Sequence, residues 1–199
     1  FKNAFDDHTD PQTGSGDIFN QYNQAASQVP DGSGGLIFLP YLNGERTPYW
    51  DSAARGVFFG LNLATQKAHF IKAIMEGVSF ALRNNIETVE ALGIEISEVR
   101  AVGGGLKSPV WLQTLGRILK KPVATVNMPD TANLGNILLC AKALGMIDSY
   151  QTATQNLVRS DQVVHYPDGA PIYEKQYDLF LELYPQLKGC FQKARDLPQ

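Results

Sequence analysis

A chain of 199 residues is long enough for one large domain or two small ones, and for a proper buried core. With 44% apolar and 19% charged residues it lies far from the composition of a disordered chain. A net charge of −3, no long basic run and no apolar stretch of bilayer length argue against nucleic acid and membrane as partners. Cys140 and Cys190 form no framework and read as reduced thiols, so with no signal peptide pattern a cytoplasmic protein is expected.

In chain order, a helix is expected around Gly16–Ser27, then a polar loop over Pro30–Gly35 and an extended apolar segment over Leu36–Leu42. Two polar turns, Asn43-Gly44-Glu45-Arg46 and Asp51-Ser52-Ala53-Ala54-Arg55-Gly56, flank a Thr-Pro-Tyr-Trp element, and the short apolar run Val57–Leu61 follows. From Thr65, apolar positions recur at three-and-four spacing through Leu92, and Gly93 closes this long helix. Val99–Val102 is a β-branched strand ending in Gly103-Gly104-Gly105. Ser108 as N-cap and Pro109 at the first position then open a second amphipathic helix. Pro122–Val126 reads as a strand and Thr131–Leu144 as a helix stopped by Gly145, with a turn of helix near Ala153–Val158. A tyrosine-rich helix from Pro171 to about Leu183 ends the domain, broken or kinked by Pro185.

The run from Leu39 to Glu76 is the most informative. Glu45, Arg46, Asp51 and Arg55 crowd around Tyr49 and Trp50 with no regular period, and such loops carry binding sites disproportionately. Gly56, Phe58, Gly60, Leu61, His69, Phe70, Ala73, Ile74, Met75 and Glu76 fill every constrained place of a pattern: small, apolar, Gly-aliphatic, a spacer, then polar-apolar-x-x-Ala-apolar-apolar-acid. That pattern resembles the second signature of the FGGY carbohydrate kinases. The wording around it, PYLNGERTPYWD and EGVSFALRNNIE, is most similar to the xylulose kinase branch of the family.

The resemblance implies an α/β fold of the actin-like, ribonuclease-H-like kind. It covers nearly all of this chain but only the C-terminal part of a two-domain enzyme, so residues 1–199 are expected to be the C-terminal ATP-binding domain. It further implies a helix-rich unit lacking the hairpin strands that normally open such a domain, with the strand Val99–Val102 left at an open edge. The expected function is transfer of the γ-phosphate of ATP to a sugar hydroxyl, with D-xylulose first and gluconate or another ketose or polyol as the alternative. The implied cofactors are ATP and Mg²⁺, the metal held mainly outside this chain. The implied partners are the sugar-binding N-terminal domain, the sugar and a homodimer mate.

A strand feeding three glycines and a capped helix lets backbone approach a nucleotide closely and offers unpaired N–H groups to it. By the resemblance, Gly103, Gly104, Gly105 and Ser108 are assigned to ATP, and Gly44 to an approach on the phosphates from the other side. Each has a plainer reading: Ser108 as a simple N-cap, the glycines as a tight connection, Lys107 as a solvated cation. Glu76 is expected to brace the Arg46 or Arg55 loop through a buried ion pair, and those arginines to pair with Glu45 and Asp51 rather than bind phosphate. No Cys/His spacing suggests a metal site. In the family, the catalytic aspartate and the Gly-Thr-Ser phosphate loop precede the region covered here, so no catalytic residue is assigned.

Two rivals from other classes stay open. Gly103, Gly105 and Ser108 approximate a dinucleotide fingerprint with Asp130 as the ribose-binding acid, which would make a Rossmann-type domain. A non-catalytic nucleotide-binding domain descended from a kinase is the second.

Overall fold

The computed structural model describes residues 15–127 and 130–197. Helix α1 (Ser15–Ser27) leads through a 3-10 turn at Ser33–Gly35 into strand β1 (Ile37–Leu39). β1 pairs antiparallel with β2 (Val57–Phe59), Phe38 opposite Phe58. All three residues of β1 are buried, which is why this strand reads in the sequence as a continuous apolar run rather than an alternating one.

Helix α2 (Lys67–Glu90) is the 24-residue backbone of the fold and packs against α1 and β1. Its start is fixed by a reciprocal cap: the Gln66 side chain accepts from the His69 backbone, and His69 Nδ1 accepts from the Gln66 N–H at 3.1 Å. Gly77 lets the helix approach β1, because a Cβ there would collide with the Phe38 carbonyl. Helix α6 (Pro171–Arg195) closes this half. Phe80 of α2 meets Tyr173, Tyr177 and Phe180 of α6 over Ile37, Leu39 and Tyr41, one aromatic-rich core. Each fully buried phenylalanine in it contributes about 2 kcal/mol.

The other half is a βαβ unit. β3 (Val99–Ala101) runs parallel to β4 (Val123–Val126), and α3 (Pro109–Leu119) is the crossover, packing back on α2. Leu112, Leu115 and Leu119 of α3 bury against Val123, with Val99, Ile86 and Val164 around them. β5 (Ser160–Val164) adds antiparallel to the far edge of β4, giving the order β3-β4-β5, while α4 (Thr131–Ala143) and α5 (Tyr150–Leu157) connect the two. Among the described residues β3 has only β4 as a neighbour, so its outer edge is open.

The sequence expectations hold for the long helix, the glycine turn and the α3 start, each within a residue or two. Three depart. β5 is a strand where none was expected; its residues are mostly exposed and carry no alternating pattern, so only pairing with β4 defines it. α5 spans eight residues rather than one turn. α6 does not stop at Pro185 but runs through it to Arg195, because Tyr184 and Phe191 bury on either side of the proline and hold the continuation in place. Packing here outweighs the one backbone bond that proline removes.

Candidate functional site

β3 and β4 are parallel, so their carboxyl ends open on the same side, and there lies a cleft of about 690 Å³. Ligands in open α/β sheets bind at that position. Ala101, Val102, Gly103 and Gly104 form one wall; Thr125, Val126 and Asn127 of β4 and Asp161 and Gln162 of β5 form the other. Leu106 and Leu112 give an apolar face, and Lys107 stands at the lip.

The three glycines have three different explanations. Gly103 adopts φ +121°, a conformation that a side chain would strain. Gly105 lies against Trp111, where a Cβ would come within 2.7 Å of the ring. Gly104 has neither constraint: a Cβ there meets nothing within 4 Å. The protein's own packing therefore does not account for Gly104, whereas a ligand lying against the loop backbone would. Behind the loop, Ser108 is buried and its hydroxyl accepts from the Trp111 N–H at 3.1 Å, with Pro109 at the first helical position. That is the plain N-cap, and it holds the start of α3 rigid behind the glycines.

Of the residues singled out in the sequence, the cleft brings together Gly103, Gly104 and Lys107. Gly105 and Ser108 support it from behind. Gly44 lies elsewhere, in the loop pinned by reciprocal backbone bonds between Glu45 and Asp51, at 2.8 and 2.7 Å. Its φ is +80° and a Cβ would meet the Asp51 carbonyl at 2.9 Å, so that loop's own packing requires a glycine. Asp130 caps α4, accepting from the Asn133 N–H at 2.9 Å, and does not line the cleft. Sequence reasoning missed Thr125, Asn127, Asp161 and Gln162; the expected strand Pro122–Val126 points to the first two, while Asp161 and Gln162 are signalled only by the pairing of β5 with β4.

The arginine and Glu76 expectations are corrected. Arg55 donates to the Ser52 and Ala54 carbonyls, at 2.9 and 2.8 Å, rather than to an acid. Glu45 accepts from the Arg46 and Thr47 N–H groups, and Asp51 from the Ala53 N–H and the Tyr184 hydroxyl. Glu76 is 1% exposed and braces a different loop, accepting from the Gly32 N–H at 2.9 Å and the Ser33 hydroxyl at 2.6 Å. The Tyr173 hydroxyl lies 3.0 Å from Glu76 and 2.8 Å from Asp31. Asp31 also pairs with Arg117 at 2.7 Å and with Lys72 at 3.4 Å, and Lys72 donates to Thr114 at 3.0 Å. Burial pushes the Glu76 carboxyl up to about 7, against the pull of its hydrogen bonds. Burial also acts on Asp31, but the Tyr173 hydroxyl, Lys72 and Arg117 outweigh it and hold that carboxyl below the usual range.

Among the described residues no group of three or more His, Cys, Asp or Glu side chains could hold a metal ion, and no helix is long and apolar enough to cross a membrane.

Comparison with known proteins agrees with this architecture. The xylulose kinase of Bacillus subtilis (strain 168) is 33% identical over 172 residues, which is 85% of this chain and 34% of that protein. The gluconokinase of the same strain is 30% identical over 181 residues, 90% of this chain and 35% of that protein. The chain thus spans about a third of the length of these curated relatives. The crystal structure of ligand-bound xylulose kinase from Lactobacillus acidophilus superposes with a TM-score of 0.78 at 32% identity, covering 88% of this chain and 36% of that one. Gluconate kinase from the same organism gives 0.77 at 32% identity, with the same coverage. The fold is accordingly that of the actin-like ATPases, in its sugar kinase form. Residues 5–144 match the C-terminal domain of the FGGY family of carbohydrate kinases, and this chain belongs to that family.

Proposed function

We propose that residues 1–199 form the C-terminal, ATP-binding domain of a two-domain sugar kinase that phosphorylates D-xylulose to xylulose 5-phosphate. The observation that carries the nucleotide site is Gly104, bare toward an open cleft at the carboxyl ends of two parallel strands. Adenosine would lie along the Gly103–Gly104 backbone over Leu106 and Leu112, with Gly105 and Ser108 fixing the loop behind it. Gly44 is carried over from the family as a second approach to the phosphates. Mg²⁺ would accompany the phosphates and neutralise charge during transfer. The base that takes the hydroxyl proton, the phosphate cradle and most of the sugar contacts belong, in this reading, to the N-terminal domain. This chain's residues bind and orient the nucleotide, and domain closure excludes water.

Xylulose is placed first because the relatives at 33 and 32% identity include xylulose kinases, and gluconate second because gluconate kinases follow closely. A coupled assay of ADP release by the two-domain enzyme carrying this chain, with D-xylulose and with gluconate, tests the order. A higher kcat/KM on gluconate would reverse it, and turnover of neither sugar would remove both. The dinucleotide reading loses its ribose acid, since Asp130 is committed to capping α4.

A further inference from the structure

The wall of the cleft opposite the glycine loop is built in an unusual way. In the pairing of β4 with β5, Ala124 faces Val163 and Val126 faces Ser160, so the single residue Thr125 is opposed by two, Asp161 and Gln162. This is a β-bulge on an edge strand, a device that re-aims side chains and is over-represented beside binding sites. Thr125 locks it in place: its hydroxyl accepts from the Gln162 N–H at 3.2 Å and donates to the Gln162 carbonyl at 3.4 Å. Without the bulge, adjacent residues on β5 would point to opposite faces; with it, both Asp161 and Gln162 line the cleft. The Asp161 side chain has no hydrogen-bonding or ionic partner among the described residues, and neither has Lys107 across the cleft.

The cleft therefore carries one unpaired anion on the β5 wall, one unpaired cation beside the glycine loop, and apolar lining from Leu106 and Leu112. A nucleotide has the complementary layout: an apolar base, a diol that donates hydrogen bonds, and anionic phosphates. A carboxylate accepts from a diol through both oxygens, and an acid is the recurring solution for ribose in α/β nucleotide sites. We propose that Asp161, presented by the β5 bulge, reads the ribose hydroxyls of the bound nucleotide and so sets its orientation, with the phosphates toward Lys107. This deepens the nucleotide-site reading above and rests on it.

The test is calorimetric titration of the 199-residue chain with ADP, 2′-deoxy-ADP and 3′-deoxy-ADP, in wild type, Asp161→Ala and Lys107→Ala. Asp161 is exposed, so its replacement is not expected to disturb folding. Wild type is expected to prefer ADP over at least one deoxy form by about tenfold or more, the range for a hydrogen bond to a charged group. Asp161→Ala should bring that ratio close to one. Lys107→Ala should weaken ADP while leaving the deoxy ratio intact. Discrimination that persists in Asp161→Ala, or is missing in wild type that binds ADP, overturns the assignment of Asp161 and leaves the nucleotide site standing. Absence of ADP binding to wild type overturns the nucleotide site itself, and the assignment with it.

Discussion

Replacing Glu76 by glutamine should remove a pH dependence of stability that the wild-type chain carries between about pH 5 and 8. The reasoning starts from a hydrogen count. The Tyr173 hydroxyl has one hydrogen but lies within bonding distance of two carboxylates, Asp31 at 2.8 Å and Glu76 at 3.0 Å. Asp31 is held ionised by Lys72 and Arg117, so it takes that hydrogen. The contact between the phenol oxygen and Glu76 is then favourable when Glu76 itself carries a proton. This agrees with burial, which pushes Glu76 from its ordinary 4.5 up to about 7. The folded state therefore binds this proton more tightly than the unfolded chain. The stabilisation is complete below about pH 4.5 and is lost as pH rises through 7. At 1.36 kcal/mol per unit, the shift corresponds to about 3 kcal/mol across that window. A glutamine at position 76 can accept from the Gly32 N–H and donate to the Ser33 hydroxyl, which rotates to accept; it loses the proton toward Tyr173, but it does not titrate, so that loss is the same at every pH. Urea denaturation at pH 5 and pH 8 measures the difference. Stability of the variant relative to wild type should improve by about 3 kcal/mol from the lower to the higher pH. A wild-type-to-variant difference that is the same at both pH values would refute the protonated Glu76.

Three further outcomes follow from the packing. Gly104→Val should leave the melting temperature essentially unchanged, because a Cβ there meets no protein atom within 4 Å and the backbone is not in the left-handed region, while Gly105→Val drives into Trp111 and should cost about 1–3 kcal/mol; thermal melts of the pair distinguish them. Ser108→Ala removes the α3 cap and should lower stability by about 1 kcal/mol with little effect on ADP affinity; a large affinity loss at unchanged stability would return Ser108 to direct contact with the nucleotide. Phe191→Ala should destabilise the chain by about 3–5 kcal/mol in denaturant titration, since that ring is buried in the core beyond Pro185; a change under 1 kcal/mol would mean that the last turns of α6 are not part of the fold.

How much the sequence disclosed depended on how local the deciding interaction was. The α2 helix was legible because its apolar spacing is written over consecutive residues, and the start of α3 because Ser108-Pro109 is a local cap. The role of Glu76 is not legible because its partners, Gly32, Ser33 and Tyr173, lie 43 to 97 residues away, while Arg55, which suggests an ion pair, turns to backbone carbonyls. Pro185 reads as a break or kink, with the helix ending near Leu183, because helix chemistry is local and the burial of Phe191 is not. The glycine loop was visible as three identical letters. Only the surrounding space separates Gly105, fixed by Trp111, from Gly104, which faces the cleft. The opposite wall was invisible because β5 exists through pairing and its bulge.

The central claim is that the glycine-loop cleft holds an adenine nucleotide. It is tested most directly by calorimetric titration of the wild-type chain and Gly104→Val with ADP, with NAD⁺ as competitor. Saturable ADP binding by wild type, lost in a variant whose melting temperature is unchanged, and resistance to NAD⁺ are the predicted results. ADP binding that survives valine at position 104, or preferential binding of NAD⁺, would contradict the account.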